Sequence, residues 1–414
     1  MSEKNPRPDR GVRTDDAERP GTGPAEAGAE ASGSGTGPSE SGSWSSKPEV
    51  DGKRAAVPSL GLRGTLLFLW RQLTSMQTAL VLLMLLAVAA LLAGLPTSLP
   101  GTTVNRLCGS SLDAAMMASR QIEVDEADLM LVGGVESMSR APWVLPKTER
   151  PFPMQDLHLA NTTLGWRLVN PEMPDAWTVS LGEATEQLRE KHGITREEQD
   201  VFSARSHQLA AKAWDEGRYD SLVAAVPGTD LERDETVRPD STPETLAGLR
   251  TVFRRENGTV TAGNASPMND GASAALLGSS TGADVLGLEP LARIAGRATA
   301  ANEPDFFGYA PVEAVNRALS RAGIGWKDVA AVELNEAFAA QSLACTDAWG
   351  VDPEIVNAWG GAIAIGHPLG ASGTRVLGTL ARRLQATGER WGVAALCIGV
   401  GQGIAVVLEN VAAR

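Results

Sequence analysis

Hydrophobic positions along the chain fall into three regimes. Residues 1 to 58 are rich in Gly, Pro, Ser, Glu and Asp and carry almost no large apolar side chain. Such a stretch buries too little surface to offset the entropy of ordering it, which predicts a disordered tail with Trp44 as its one bulky residue. Residues 59 to 95 invert the pattern: no charge occurs between Arg71 and Arg106, and the apolar run from Ala79 to Leu95 is seventeen residues long. That length is just within what a bilayer-spanning helix requires. Lys53, Arg54, Arg63 and Arg71 all precede the run, an asymmetry that would keep the tail in the cytoplasm. The run also reads as a buried helix of a soluble domain. Its length and its distance from the first residue argue against a cleaved signal peptide.

After Pro96 apolar strands and amphipathic helices alternate. "ADLMLVGG", "AAVELNEAFA" and "GVAALCIGVGQGIAVVLEN" read as short strands ending in glycine or polar turns. Helical periodicity marks "SSLDAAMMASRQI", "TREEQDVFSARSHQLAAKAWDEG" and "PVEAVNRALSRAG". This order predicts an α/β fold with a mostly parallel sheet, interrupted by a polar insertion from about residue 145 to 260. Two stretches echo each other, "VNRLCGSSLDAAMMASRQIEVDEADLMLVGG" and "GAIAIGHPLGASGTRVLGTLARRLQATGERWGVAALCIG". Each runs from a strand through a small-residue turn into a helix and a further strand. Cys108 occupies the first turn and His367 the second, which suggests two similar halves whose reactive side chains face one another.

At 414 residues and 43% hydrophobic content, the chain is long enough for two or more domains. A net charge of -13 and a pI near 5.0 exclude nucleic acid as a partner, since no cluster of Lys and Arg is present to bind phosphates. A small anionic ligand needs only a few local basic residues. Cys108, Cys345 and Cys397 are too few and too dispersed for a disulfide framework and show no zinc spacing, so the thiols are expected reduced and the chain cytoplasmic, with no metal. His158, His192 and His207 stand in polar surroundings and read as surface residues.

The candidate chemistry lies at element ends. Cys108 precedes Gly109, Ser110 and Ser111 at the start of a predicted helix, whose N–H groups would favour a thiolate and lower the thiol pKa. His367 sits among four glycines in "GAIAIGHPLGASG", which let the backbone approach something closely. Cys397 ends a strand and opens the reversal "IGVGQG", at the sheet edge where α/β folds bind ligands. Asn335 follows "AAVEL" and reads either as a helix N-cap or as an amide that fixes a water or an oxyanion. Cys345, inside "AAQSLACTDAW", reads as core packing.

Taken together, "VNRLCGSS", "GGVESMSRAP", "TAGNASPMNDGA", "ELNEAFAAQ", "GGAIAIGHPLGASG" and "LCIGVGQG", in this order over about residues 90 to 411, resemble the thiolases, the acetyl-CoA C-acyltransferases. The resemblance implies a layered α/β fold of two similar halves and a two-step acyl transfer through a covalent thioester. It assigns the acyl group to Cys108, the base to His367 and movement of the substrate proton to Cys397. Asn335, through a water, and His367 would hold one oxyanion, and the N–H groups of Cys108 and Gly399 the other. Arg238 would lie near the adenine and phosphates of coenzyme A, Ser266 would face the pantetheine, and Phe338 would form part of the tunnel wall. Acyl-CoA and coenzyme A are the implied partners, with coenzyme A as co-substrate, no permanently bound cofactor and a homo-oligomeric assembly. "NTTLGWRLVNPEM" is similar to the branch acting on 3-oxoadipyl-CoA. Leu181 and Phe307 stand where the family often has methionine, and Val400 replaces a glycine.

The resemblance implies a first half, residues 96 to 287, that is truncated and holds a loop domain at about 145 to 260. A second half spans 288 to 414. The family's opening strands are expected to be missing, leaving the half with Cys108 poorly packed. In their place "LFLWRQLTSMQTALVLLMLLAVAA" resembles the first membrane span of a ResB-type cytochrome c biogenesis protein. An inactive fusion product, or a membrane-anchored fragment of that machinery with membrane contact through 79 to 95, is the alternative to an acyltransferase.

Overall fold

The computed structural model describes residues 95–96, 98–148, 151–152, 154, 156–226 and 228–413. The predicted tail, and all but residue 95 of the apolar run at 79–95, lie outside them. No helix among the described residues is long and apolar enough to cross a membrane.

The two echoed stretches fold alike. Helix α1 (Ser110–Glu123) leads into strand β1 (Leu129–Glu136), which pairs antiparallel with β4 (Gly271–Gly278). The short strands β2 (Trp143–Val144) and β3 (Ala160–Asn161) pair with each other. With α2 (Leu181–His192), α3 (Arg196–Asp215) and α4 (Pro243–Ala247) they form the insertion between β1 and β4. Helix α5 (Ser280–Leu286) follows β4. The second half comprises β5 (Arg293–Ala301), α6 (Ala310–Ala322), β6 (Val329–Leu334), α7 (Ala339–Trp349), α8 (Ala362–Ile365), α9 (Leu369–Thr387), β7 (Trp391–Ile398) and β8 (Gln402–Glu409). Its sheet has the order β5-β8-β7-β6. Helix α9 and the pair β7–β8 thus repeat α1 and the pair β1–β4.

The expectation of a mostly parallel sheet fails. Among the strands of the described residues only β6 and β7 run parallel; β5 with β8 and β7 with β8 are antiparallel. Only Gly399, Val400 and Gly401 separate β7 from β8, and so short a connection can join antiparallel neighbours alone. Strands β4 and β5, "GASAALLG" and "RIAGRATAA", gave little signal because they are built from small residues with few β-branched side chains.

The core is a pair of helices pressed between the sheets. Leu112, Ala115 and Met116 of α1 recur at helical spacing and pack with Val376, Leu380 and Leu384 of α9. Above and below lie Val132 of β1 and Leu396, Ile398, Ile404 and Val406 of β7 and β8. Burying each large side chain stabilises the fold by about 1.5 to 3 kcal/mol. Contrary to the expectation of poor packing, the inner face of the half bearing Cys108 is therefore tightly covered. Its outer face is not: Leu131, Val135 and Leu276 are 60%, 68% and 51% exposed. The matching outer face of β7 and β8, with Val393, Ala395, Ala405 and Val407, is fully buried under α6 and α7.

His207 corrects its reading as a surface residue. It lies on the covered face of α3, and its Nδ1 accepts the backbone N–H of Arg238 at 3.2 Å. Burial pulls its pKa down to about 4, with the neighbouring charge of Arg238 adding to the effect.

Candidate active site

The chain reaches Cys108 through Leu107, which has a φ of 51°, and a short 3-10 turn at Leu107–Gly109. Ser110 stabilises this bend by accepting the N–H of Arg106 at 2.8 Å and donating to the Leu107 carbonyl at 2.7 Å. Cys108 therefore sits in the turn before α1, not in its first α-helical turn. The backbone N–H groups of Gly399 and of Cys108 itself lie close enough to its sulfur to favour negative charge there. Cys397, at the end of β7, is close enough that charge on Cys108 raises its pKa.

Glycines bring the two halves together here. A Cβ on Gly373 of α9 would stand 2.2 Å from the Leu112 nitrogen of α1, so only glycine permits this approach. Ser111 Oγ then accepts the N–H of Thr374 at 2.9 Å, and Glu136 at the end of β1 accepts that of Gly370 at 3.0 Å. Gly373 of the His367 stretch thus serves the contact with the helix that follows Cys108.

His367 precedes α9 and is 4% exposed. Its backbone N–H donates to Asn269 Oδ1 at 2.8 Å, and its ring contacts Asn335 Nδ2 at 3.3 Å through Nε2 and Ser372 Oγ at 2.6 Å through Nδ1. Asn335 lies directly after β6 and is buried. It is not the N-cap of α7: that position is Phe338, which makes no side-chain cap. The four residues from Asn335 to Phe338 separate strand from helix, which leaves the amide available to His367.

The protonation states correct the expectation of a ready thiolate. Burial pushes the Cys108 thiol up to about 11, outweighing the two backbone N–H groups, and Glu136 adds to the rise. Burial, with the positive charge of Arg375, pulls His367 down to about 3. Cys397 is raised by burial and by its two fellow cysteines. The residues thus rest as thiols and a neutral imidazole, because desolvation penalises charge more than these donors favour it.

Phe338 shares a buried cluster with Cys397, and Ser266 lies beside it. Ala265 bridges Phe338, Ser266 N–H donates to the Ala337 carbonyl at 3.0 Å, and Phe338 packs with Phe307, Leu181 and Cys397. The aromatic ring of Phe338 meets those of Phe253 and Phe307 edge to face at 6.3 and 6.5 Å. Arg238 stands apart: its side chain is exposed, and its backbone contact is with His207. An open cleft lined by Leu249, Arg250, Thr251, Val252, Arg255 and Ala262 escaped the sequence reading, although its two arginines in an acidic chain were a signal. Cys345 is core, as read, with its thiol donating to the Gly308 carbonyl at 3.2 Å.

Family models describe this arrangement over most of the described chain: "Thiolase, N-terminal domain" matches residues 75–281 and "Thiolase, C-terminal domain" residues 288–410. The chain belongs to the thiolase family. It is 47% identical over 333 residues to the 3-oxoadipyl-CoA/3-oxo-5,6-dehydrosuberyl-CoA thiolase of Escherichia coli K12, covering 78% of this chain and 82% of that one. A beta-ketoadipyl-CoA thiolase of Acinetobacter baylyi is 44% identical with the same coverage. Human mitochondrial 3-ketoacyl-CoA thiolase in complex with CoA superposes with a TM-score of 0.72 at 37% identity, over 77% of this chain and 80% of that one. The activity of this thiolase is acyl transfer between acyl-CoA species. The N-terminal match begins at residue 75, so it takes in residues 75–90, which sequence reading gave to a foreign segment. That segment, with its resemblance to a ResB-type span, lies outside the described residues.

Val400, where the resemblance leads one to expect glycine, carries a cost. Its φ of 66° is left-handed, a conformation that strains a β-branched residue. Val400→Gly is expected to raise stability by about 0.5 to 1 kcal/mol, the relief of strain exceeding the added chain entropy. Urea-induced unfolding of both proteins measures it, and a loss of stability would show the strain to be absent.

Proposed function

We propose that this thiolase cleaves 3-oxoadipyl-CoA through a thioester on Cys108. The Cys108 sulfur attacks the C3 carbonyl while His367 Nε2 takes the thiol proton. The C2–C3 bond breaks, and the Cys397 thiol protonates the departing carbon to release acetyl-CoA. The Cys397 thiolate then deprotonates incoming coenzyme A, whose sulfur attacks the thioester; the shortened acyl-CoA leaves, and the proton returns from His367 to Cys108. The N–H groups of Cys108 and Gly399 hold the oxyanion on the acyl carbon, while Asn335 and His367 hold the enolate oxygen.

The observation that carries this reading is that Cys108 stands close enough to the Gly399 N–H and to Cys397 for the first to favour charge on its sulfur and for its own charge to act on the second. Coenzyme A runs past Ser266 and Phe338, and Arg238, Arg250 and Arg255 face its phosphates. Three free, buried thiols suit the reducing cytoplasm, where both thioester partners occur. The choice of a dicarboxylic substrate rests on "NTTLGWRLVNPEM" and on the printed activities of the bacterial relatives. Thiolysis of 3-oxoadipyl-CoA is expected to exceed that of acetoacetyl-CoA and 3-oxohexadecanoyl-CoA by about tenfold or more in kcat/KM, the scale of one well-placed polar contact. Equal rates on all three would overturn the substrate assignment.

A further inference from the structure

We propose that Ser372 and Arg375, on one face of α9, are positioning residues that set the direction of every hydrogen bond through Asn335 and His367 and leave the Nε2 lone pair as the proton acceptor. The inference rests on the reading of His367 as the base.

The guanidinium of Arg375 can only donate. Its Nη1 is anchored on the Gly366 carbonyl at 2.5 Å, and its Nη2 reaches Asn335 Oδ1 at 3.3 Å. The amide therefore turns its oxygen toward Arg375 and its NH2 toward His367. A donor at Nε2 requires an acceptor there, which puts the imidazole proton on Nδ1. That proton goes to Ser372 Oγ at 2.6 Å, whose own hydroxyl donates to the Pro368 carbonyl at 3.0 Å. The chain begins at a fixed cation and ends at a fixed carbonyl, so no link in it is free to reverse.

The groups facing this chain support the same direction. Arg375 is the charged group that acts on His367, and Asp234, Tyr219, Glu333 and Glu336 surround Arg375. Burial lowers the Arg375 pKa and these neighbours oppose the fall, while the Gly366 carbonyl and Asn335 hold the guanidinium in place. When Nε2 takes the Cys108 proton, the new N–H meets an amide N–H that Arg375 keeps from turning. The imidazolium is thereby raised in energy, which favours return of its proton to Cys108 as the thioester breaks down.

Nitrogen-15 NMR of histidine-labelled protein reads the tautomer directly. The folded wild type is expected to show His367 protonated on Nδ1 alone, and Ser372→Ala to move the population toward Nε2–H. Ser372→Ala and Arg375→Lys are each expected to lower kcat by about 10- to 100-fold with KM within about twofold, the range for partners that orient a catalytic group. Adding Ser372→Ala to His367→Ala should cost nothing further, because Ser372 acts through the ring. An Nε2–H tautomer in the wild type, an unchanged kcat in Ser372→Ala, or a full further loss in the double variant would each overturn the proposal. Wild-type kcat in His367→Ala would instead remove the reading of the base itself.

Discussion

Cys108→Ala is expected to fold normally and to lose acyl transfer by about 10⁴-fold or more, the scale seen when a covalent nucleophile is removed. The substitution deletes one buried sulfur and with it the contact made by the N–H groups of Gly399 and residue 108, at a cost of about 1 kcal/mol, so thermal unfolding should shift only modestly. Mass spectrometry of wild-type protein mixed with 3-oxoadipyl-CoA should show one acyl group on the peptide containing Cys108, and none in the variant. The same site explains a reactivity pattern. With its pKa near 11, Cys108 is a thiolate in only about one molecule in 10⁴ at pH 7, so its alkylation by iodoacetamide should be slow and rise about tenfold per pH unit up to pH 10. Retained turnover in Cys108→Ala, or acylation at another residue, would sink the covalent mechanism.

The second large effect concerns Glu336, which follows Asn335 and is 1% exposed. Its carboxylate accepts the Ser206 hydroxyl at 2.6 Å, the Asn357 amide at 2.7 Å and the Ile363 N–H at 3.1 Å. Those donors come from α3 of the insertion, the loop after α7, and α8 on the approach to His367. Burial raises the Glu336 pKa while the three donors oppose the rise. Glu336→Ala strands all three donors in the interior, at a cost of about 3 to 5 kcal/mol. Glu336→Gln keeps the shape and an acceptor, and should cost about 1 kcal/mol. Urea denaturation followed through the tryptophans Trp214 and Trp359 of this region measures both. Equal costs for the two variants would show that volume, rather than hydrogen bonding, sets the role of Glu336.

Much of this was legible locally. Periodicity placed α1, α3, α6, β1, β6, β7 and β8, because an amphipathic face is written in the spacing of its own residues. The turn residues marked Cys108, His367, Cys397 and Asn335 as side chains at element ends. The half-buried Arg375 and the buried Ser372 and Glu336 were also visible as polar residues inside small or apolar stretches, but nothing in their spacing says which group they meet.

By itself, then, the sequence determined which segments become helices and strands, that the two halves repeat, and which side chains could carry acyl-transfer chemistry. The tertiary structure alone decided that the sheets are largely antiparallel and that Gly373 brings the two halves into contact. It alone showed that His207 is buried and that Cys108 and His367 rest uncharged. Strand pairing, desolvation and hydrogen-bond direction are set by residues hundreds of positions apart, and no local pattern records those distances.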